Sequence, residues 1–358
     1  MHFLGSRSRP SFRQRRFIIF SGVPPTPPEP LLNYIVGIDL GGTNIAVGCV
    51  SEDGTKVRGL LSEPTRADLG PDAVVGRMIE TAQRSIAVLE REEPGAKVVG
   101  VGIGAPGPLD FHRGVVLLAP NLGWKEMPLR ARISEGLHRP AALDNDANCA
   151  ALGEWWQGAA KGSEHALAVT IGTGIGGGVI LNGKIYHGAS DCAGELGHTT
   201  IDMDGRRCAC GNYGCLEAYA SGPAIALRAA EALQSGYESS LRARVGGELS
   251  KLTAQTVYDA AAEGDELALE VVRDTASYLG AGIANFLNIF NPQVVVVCGG
   301  VTAAGERLFG PMQREVARRA FKPAVAACRI VPGILPGSAG VIGAAKAYLD
   351  QRAEGLVA

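Results

Sequence analysis

Residues 194–217 (GELGHTTIDMDGRRCACGNYGCLE) contain an unusual concentration of side chains that bind metal ions. Three cysteines follow a Cys-x-Cys-x-x-x-x-Cys spacing, and a histidine stands ten residues before the first of them. Apolar residues are few here, so burial cannot offset a backbone ordering cost of about 1–2 kcal/mol per residue. This soft nitrogen and sulfur ligand set suits tetrahedral zinc without an open coordination position. We therefore expect a structural Zn²⁺ bound by His198, Cys208, Cys210 and Cys215.

Two alternatives to zinc are a set of unrelated reduced cysteines and a disulfide in an exported protein. Three of the eight cysteines fall within eight residues of polar loop, which favours a shared ligand over chance.

Two carboxylates flank the ligands: Glu195 precedes the histidine by three residues, and Glu217 follows the last cysteine by two. A metal that orders the loop also fixes these carboxylates, which could accept hydrogen bonds from the hydroxyls of a polyol.

The motifs GELGH and CACGNYGCLE resemble the sugar-binding and zinc motif of the ROK family (repressors, open reading frames, kinases). The resemblance runs from about Tyr34 to the C-terminus, and members of the family are sugar kinases or sugar-sensing transcriptional repressors. It implies a duplicated actin/hexokinase-like (ribonuclease H-like) α/β fold, with ATP and sugar in the cleft between two lobes. It also implies that Glu195, His198 and Glu217 bind the sugar, with one ring nitrogen of His198 on zinc.

The turn DLGGTN, the first of two glycine-rich turns, lies between two predicted strands, residues 34–40 and 45–50. Glycine N–H groups can approach a phosphate there, Thr43 adds a hydroxyl, and Asp39 can hold a hydrated Mg²⁺. A plain β-hairpin explains the pattern equally well. A P-loop is excluded because the Gly-Lys-Ser/Thr ending and the following helix are missing. The turn resembles the first phosphate loop of the actin-type superfamily, which implies nucleotide contacts from Asp39, Gly41, Gly42 and Thr43.

The second glycine-rich turn, GTGIGGG at residues 172–178, contains a GxGxxG match. A Rossmann fingerprint opens a helix, whereas residues 179–184 are typical of a strand and a turn. The pair of turns resembles the two phosphate loops of an actin-type ATPase, which places Gly172, Thr173 and Gly174 at the nucleotide. A predicted strand at residues 293–298 ends at Gly299 and Gly300, where the superfamily backbone approaches adenosine. A simple strand-to-helix turn explains those two glycines equally well.

The segment DNDAN (residues 144–148) follows a predicted strand and begins a helix that reaches about Trp156. Helix capping explains most such clusters, but three acceptors exceed what one cap uses. We expect Asp146 to be the general base that takes the proton from an attacking primary hydroxyl. Asn145 would orient the sugar, and in the ROK kinases that this sequence resembles the Asn-Asp pair of this motif has these two roles. Asn121, in PNLGW, matches an asparagine that contacts the sugar, although a left-handed turn explains it too.

Composition restricts the class of protein further. The chain has 358 residues, 46% of them hydrophobic, which suffices for two lobes, and its net charge of -2 indicates neither nucleic acid nor an anionic membrane as a partner. No apolar run approaches the ~20 residues of a membrane span. We expect a cytoplasmic protein that forms a homodimer or homotetramer.

Residues 1–32 contain five arginines and PPTPPEP, and we expect them to be disordered and non-catalytic. A transit peptide and an extension from an early start codon are two alternative explanations of this segment. We expect a small lobe at residues 33–146, completed by about 336–350, and a large lobe at 147–335 that carries the zinc loop, residues 194–217. The long helical pattern at residues 266–290 belongs to the large lobe.

The expected reaction is ATP-dependent phosphorylation of glucose at O6. The resemblance equally allows an N-acetylhexosamine kinase, because nothing in the sequence identifies the C2 substituent. Polyphosphate as the phosphate donor is conceivable as well. A sugar-responsive repressor would require a helix-turn-helix domain ahead of the kinase-like part, and 32 proline-rich residues are too few for one.

Overall fold

The structure, a computed structural model, describes His2 and residues 32–357. The predicted disordered extension, residues 1–32, lies outside the described residues apart from its second and last positions. From residue 33 onward, strands and helices alternate in the first part of the chain. The elements are β1 (Asn33–Leu40), β2 (Asn44–Ser51), β3 (Val57–Pro64), α1 (Pro71–Glu92), β4 (Lys97–Ala105), β5 (Leu109–Asp110), β6 (Val115–Ala119), β7 (Trp124–Met127), α2 (Leu129–Leu137), β8 (Ala141–Asn145) and α3 (Asp146–Trp156).

The second part of the chain repeats the strand pattern and adds more helices. Its elements are β9 (Ala166–Ile171), β10 (Ile175–Leu181), β11 (Lys184–Ile185), α4 (Glu217–Ala220), α5 (Gly222–Gln234), α6 (Leu241–Arg244), α7 (Ala254–Ala262), α8 (Glu266–Phe290), β12 (Val294–Cys298), α9 (Glu306–Arg319), α10 (Lys322–Ala327), β13 (Arg329–Pro332) and α11 (Ala339–Ala353).

The first sheet has the strand order β3-β2-β1-β4-β8. Strands β1 and β2 form an antiparallel hairpin, whereas β1, β4 and β8 run parallel. The carboxyl ends of parallel strands meet at one edge of a sheet. In the observed register Asp39 lies opposite Gly104, and Gly104 lies opposite Asp144. Asp39 and Asp144 therefore lie at the carboxyl ends of strands in the same sheet, with one strand between them.

The second sheet repeats this arrangement, with the order β11-β10-β9-β12-β13. Strands β9 and β10 form the antiparallel hairpin, and β9, β12 and β13 run parallel. The two sheets thus have the same topology, and the duplicated α/β fold is confirmed. A third, small sheet has the order β5-β6-β7. Strand β3 and helices α2 and α9 were not predicted.

The backbones of helices α3 and α11 are in close contact. A Cβ atom on Gly343 would lie 1.6 Å from the carbonyl oxygen of Cys149, and one on Gly153 would lie 2.1 Å from that of Ala339. Helix α11 also packs on β1, β4 and β8. This matches the idea that the last helix completes the first lobe, although the lobe boundaries and the oligomeric state stay predictions. Within the described residues, no helix is long and apolar enough to cross a membrane.

Replacing Gly343 with alanine should destabilise the protein, because the added methyl group overlaps a backbone oxygen that cannot move freely. We expect a loss of at least about 1–3 kcal/mol in the free energy of unfolding, typical of an overpacked contact. Urea unfolding followed by circular dichroism measures it. The control is Gly76→Ala in α1, where an added Cβ meets nothing within 4 Å and should be neutral or stabilising. Equal stability of the two variants would contradict the close helix contact.

Candidate active site

The first glycine-rich turn is anchored to the end of β3. The N–H of Gly41 donates to the carbonyl of Asn44 (2.9 Å), and Thr65 donates through its hydroxyl to the Gly41 carbonyl (2.7 Å) and through its N–H to that of Thr43 (2.7 Å). The tip of the turn, residues 42–44, is exposed. A Cβ on Gly42 would contact the Cβ of Asn121 at 4.0 Å. The turn and the predicted sugar-binding asparagine are therefore neighbours.

The second glycine-rich turn closes in the same way, with the Gly172 N–H donating to the Gly174 carbonyl (2.9 Å). Glu217 contacts this turn: its Oε2 accepts from the N–H of Ile175 at 2.9 Å, and its Oε1 lies 3.6 Å from the Sγ of Cys208. A Cβ on Gly174 would lie 2.5 Å from Oε2. Glu217 thus joins the cysteine loop to the second turn, a link that the sequence did not suggest.

The last residue of β8 caps helix α3, and the first residue of α3 carries a carboxylate. The side chain of Asn145 caps α3, since its Oδ1 accepts from the N–H groups of Ala147 (2.9 Å) and Asn148 (3.2 Å). Asp146 accepts from the Ala147 N–H at 2.8 Å. Desolvation by the surrounding protein raises the pKa of Asp146 to about 6, with this N–H opposing the shift and the charge of Glu195 adding to it. Near neutral pH, Asp146 can therefore accept a proton.

Asp39 lies at the end of β1, against the start of α11. A Cβ on Gly340 would lie 2.1 Å from its Oδ2, so only glycine fits there. Burial, followed by the negative charge of Asp146, raises the pKa of Asp39 to about 7. A buried carboxylate whose proton affinity is raised further by a neighbouring carboxylate is a suitable environment for a hydrated Mg²⁺, which takes oxygen ligands and neutralises their charge.

The four predicted zinc ligands come together at one point. Their ligand atoms all lie within 4.8 Å of one another, with 3.7 Å between Cys208 Sγ and His198 Nδ1 and 3.8 Å between Cys210 Sγ and Cys215 Sγ. Zn–S bonds of about 2.3 Å in a tetrahedron would separate two sulfurs by about 3.8 Å. The donor set and its spacing therefore fit a zinc ion. The Nε2 of His198 faces the other way, 3.9 Å from Glu195 Oε2.

Polar contacts within the loop also help to order it. The hydroxyl of Tyr219 accepts from the N–H of Arg206 (2.8 Å) and donates to Asp202 (3.0 Å). Two short antiparallel bridges pair Thr200 with Cys215 and Arg207 with Tyr213. These hydrogen bonds therefore contribute to the order of the loop together with the predicted metal site.

The two glycines after β12 differ in what they require. Gly299 has φ 108° and an added Cβ would lie 2.0 Å from the carbonyl oxygen of Ile171, whereas a Cβ on Gly300 would meet nothing within 4 Å. Gly299 is thus required by the fold itself. Gly300 lines a cavity of about 90 Å³ together with Tyr258 and Arg307. This placement leaves both explanations of the pair open, and the nucleotide contact stays a prediction.

One pair of residues near the site was missed by sequence reasoning. The Nε2 of His187 lies 2.9 Å from the Oδ2 of Asp144, whose side chain is 2% exposed. The two residues are 43 positions apart, and no spacing in the sequence links them. The only indication in the sequence was Asp144, the first aspartate of DNDAN, because helix capping did not account for its side chain.

The ROK family model matches residues 35–351, and the chain belongs to the ROK family. It is 38% identical over 312 residues to the glucokinase of Thermotoga maritima, covering 87% of this chain and 96% of that protein. It is 32% identical to the xylose repressor of Bacillus subtilis, covering 88% and 77%. The crystal structure of a ROK family glucokinase from Streptomyces griseus in complex with glucose and AMPPNP superposes with a TM-score of 0.76, at 33% identity and coverages of 87% and 98%.

The His198→Cys variant should separate the two roles predicted for this histidine. Four cysteines make an ordinary structural zinc site, so about one zinc per chain and a similar Tm should be retained. The thiolate cannot donate the hydrogen bond expected from Nε2. Since an unsatisfied buried polar group costs ~1–3 kcal/mol, kcat/KM for the sugar should fall about tenfold or more. Zinc content and kinetics are measured on one preparation.

The control is His138→Cys, which adds the same thiol at an exposed position after α2. It should change neither the zinc content nor the kinetics. Retained zinc with unchanged kinetics in His198→Cys would remove His198 from the sugar site and leave the cluster with a structural role only.

Proposed function

We propose that this protein is an ATP-dependent sugar kinase that transfers the γ-phosphoryl group to O6 of glucose. The observation that carries the proposal is the position of Asp146. Its carboxylate, with a pKa of about 6, lies near Asp39 on the edge of the first sheet where the first glycine-rich turn also lies. The glucokinase of Thermotoga maritima and the glucose complex from Streptomyces griseus support the choice of glucose.

The predicted residues bind different parts of the two substrates. The turns at residues 41–43 and 172–174 hold the phosphates of ATP through backbone N–H groups and the hydroxyls of Thr43 and Thr173. Asn121, Asn145, Glu195, His198 and Glu217 hold the sugar. Asp39 would hold a Mg²⁺ ion, which would supply positive charge to the transferred phosphoryl group.

Asp146 removes the proton from the attacking hydroxyl as the new O–P bond forms and the bond to the leaving ADP oxygen breaks. Asp144 is less suited to this role. Its oxygens already accept hydrogen bonds from the N–H of Asn145 (2.7 Å), from Asn148 (3.0 Å) and from His187. A carboxylate that already accepts three hydrogen bonds has few lone pairs left for a substrate hydroxyl.

The Asp146→Asn variant should bind sugar but lose roughly 10²–10⁴-fold in kcat, the usual contribution of a positioned general base. Sugar affinity is measured by calorimetry and kcat by a coupled assay. Asp204→Asn makes the same change at an exposed position of the zinc loop and should behave like wild type. If Asp146→Asn keeps wild-type kcat, Asp144 becomes the candidate base.

The rate should also depend on pH through Asp146. Only the ionised carboxylate can accept the proton, so kcat/KM should be low below the pKa and rise with pH through about 6. The measurement is a pH profile of kcat/KM with sugar as the varied substrate. A rate that is flat from well below to well above that pKa would contradict a carboxylate base.

A substrate panel distinguishes the candidate functions. With ATP, glucose should give the highest kcat/KM, above N-acetylglucosamine and N-acetylmannosamine. Preference for an N-acetylated sugar would replace glucose with an N-acetylhexosamine as the substrate. Sugar binding without any phosphoryl transfer would favour a sugar-sensing role like that of the xylose repressor.

A further inference from the structure

His187 connects elements of the first and second sheets outside the residues discussed as sugar ligands. It follows β11 of the second sheet, and its Nε2 contacts Asp144 on β8 of the first sheet at 2.9 Å. Its side chain is 18% exposed and that of Asp144 is 2% exposed. The contact is therefore largely shielded from water, where a charged hydrogen bond is strong and a missing partner is costly.

Asp144 depends on His187 for one of its two oxygens. Its Oδ1 accepts from the Asn145 N–H (2.7 Å) and from the side chain of Asn148 (3.0 Å). Its Oδ2 accepts from His187. The next residue is Asn145, whose N–H donates to this Oδ1, so the orientation of Asp144 bears directly on a proposed sugar ligand.

His187 also contacts two other segments. Its ring stacks on Phe111, with 4.4 Å between ring centroids and an interplanar angle of 23°. Phe111 lies in the hairpin of β5 and β6, which leads to Asn121. The carbonyl of His187 accepts from the N–H of Ala193 (3.0 Å), two residues before Glu195. The residue thus touches three segments that each carry a predicted sugar-binding group.

We propose that His187 is a positioning residue for the sugar: its imidazolium, held between Asp144 and Phe111, fixes the segments that carry Asn121 and Asn145, and its backbone carbonyl holds the segment that carries Glu195. The proposal rests on the proposed function, because it names a residue that organises the same site. His187 does not touch the reacting atoms. Its expected effect is on sugar affinity more than on the chemical step.

The charges around His187 favour its protonated form. Burial by itself lowers the pKa of His187, but the hydrogen bond and charge of Asp144, and then the charges of Asp191 and Glu354, raise it above its ordinary value. A cavity of about 510 Å³ lies beside the ring and gives water access to it, and its charged or titratable lining groups are Asp110, His112, Arg113, Tyr186 and Asp191. Arg113 has its own acidic neighbours, Asp110 (3.7 Å) and Glu126 (3.9 Å).

The pH dependence follows from the raised pKa. The charged contact is complete at low pH and weakens as pH rises through the pKa of His187 in the folded protein. This direction is opposite to that of Asp146, which becomes active as pH rises. Sugar affinity should therefore decline on the alkaline side, where Asp146 is already ionised.

The test compares His187→Gln with wild type. Glutamine can donate to Asp144 but carries neither a charge nor a ring, so KM for the sugar should rise about tenfold. KM for ATP and kcat should change less than about twofold, since the base and the phosphate turns are unaltered. The ratio of sugar affinities, wild type over variant, should shrink as pH rises from about 6 to about 9, because wild type also loses its charge.

The matched control is His112→Gln, because His112 also contacts Phe111 (4.1 Å between centroids) and lines the same cavity. It should retain wild-type sugar affinity at every pH. A His187→Gln variant with wild-type sugar affinity, or with a loss that is the same at every pH, would overturn the proposal.

Hydrogen exchange separates this proposal from the proposed function. His187→Phe retains a ring for Phe111 but leaves Asp144 without its third donor, so amides at residues 109–121 should exchange faster than in His112→Gln. Unchanged exchange in a folded His187→Phe would overturn the proposal. If wild type phosphorylates no sugar, the kinase assignment fails, whereas the exchange result and sugar affinities from calorimetry still decide the role of His187. If His187→Phe does not fold, His187→Gln provides both measurements.

Discussion

The central physical constraint in this protein is a group of carboxylates at the carboxyl edge of one parallel sheet. Strands β1, β4 and β8 place Asp39 and Asp144 in register on either side of Gly104, with Asp146 at the start of the next helix. Negative charges gathered in a poorly solvated place raise each other's pKa unless something compensates them. The protein provides different compensation for each, and the chemistry of the site depends on that difference.

Asp144 is compensated within the protein by a half-buried histidine and two amide donors. Asp39 and Asp146 are not, and their pKa values are raised to about 7 and about 6. A cation can compensate Asp39, and a substrate proton can compensate Asp146. The proposed function therefore gives three separate roles to three aspartates at one edge of a sheet.

The cysteine loop takes part in this arrangement through Glu217. One of its oxygens contacts the second glycine-rich turn at Ile175, and the other lies near Cys208. A zinc ion at the cluster would therefore stabilise a contact to a proposed phosphate turn as well as the loop itself. The loop's own hydrogen bonds through Tyr219 support the same geometry.

The sequence by itself determined several of the elements and the cluster of cysteines. Periodicity and turn residues located β1, β2 and α8, and the spacing of Cys208, Cys210 and Cys215 identified the candidate metal ligands, because these properties depend on residues close together in the chain. Strand β3 and helix α9 were missed. The lobe boundaries and the sugar contacts stay predictions.

Only the tertiary structure decided which carboxylate has which partner. His187 is 43 residues from Asp144, and Ile175 is 42 residues from Glu217. The backbone contact of Gly343 with Cys149 also joins distant segments. Such contacts depend on strand register and helix crossing, where a shift of one residue moves a side chain to the opposite face. No local pattern contains that information, since it arises when the two halves of the chain pack together.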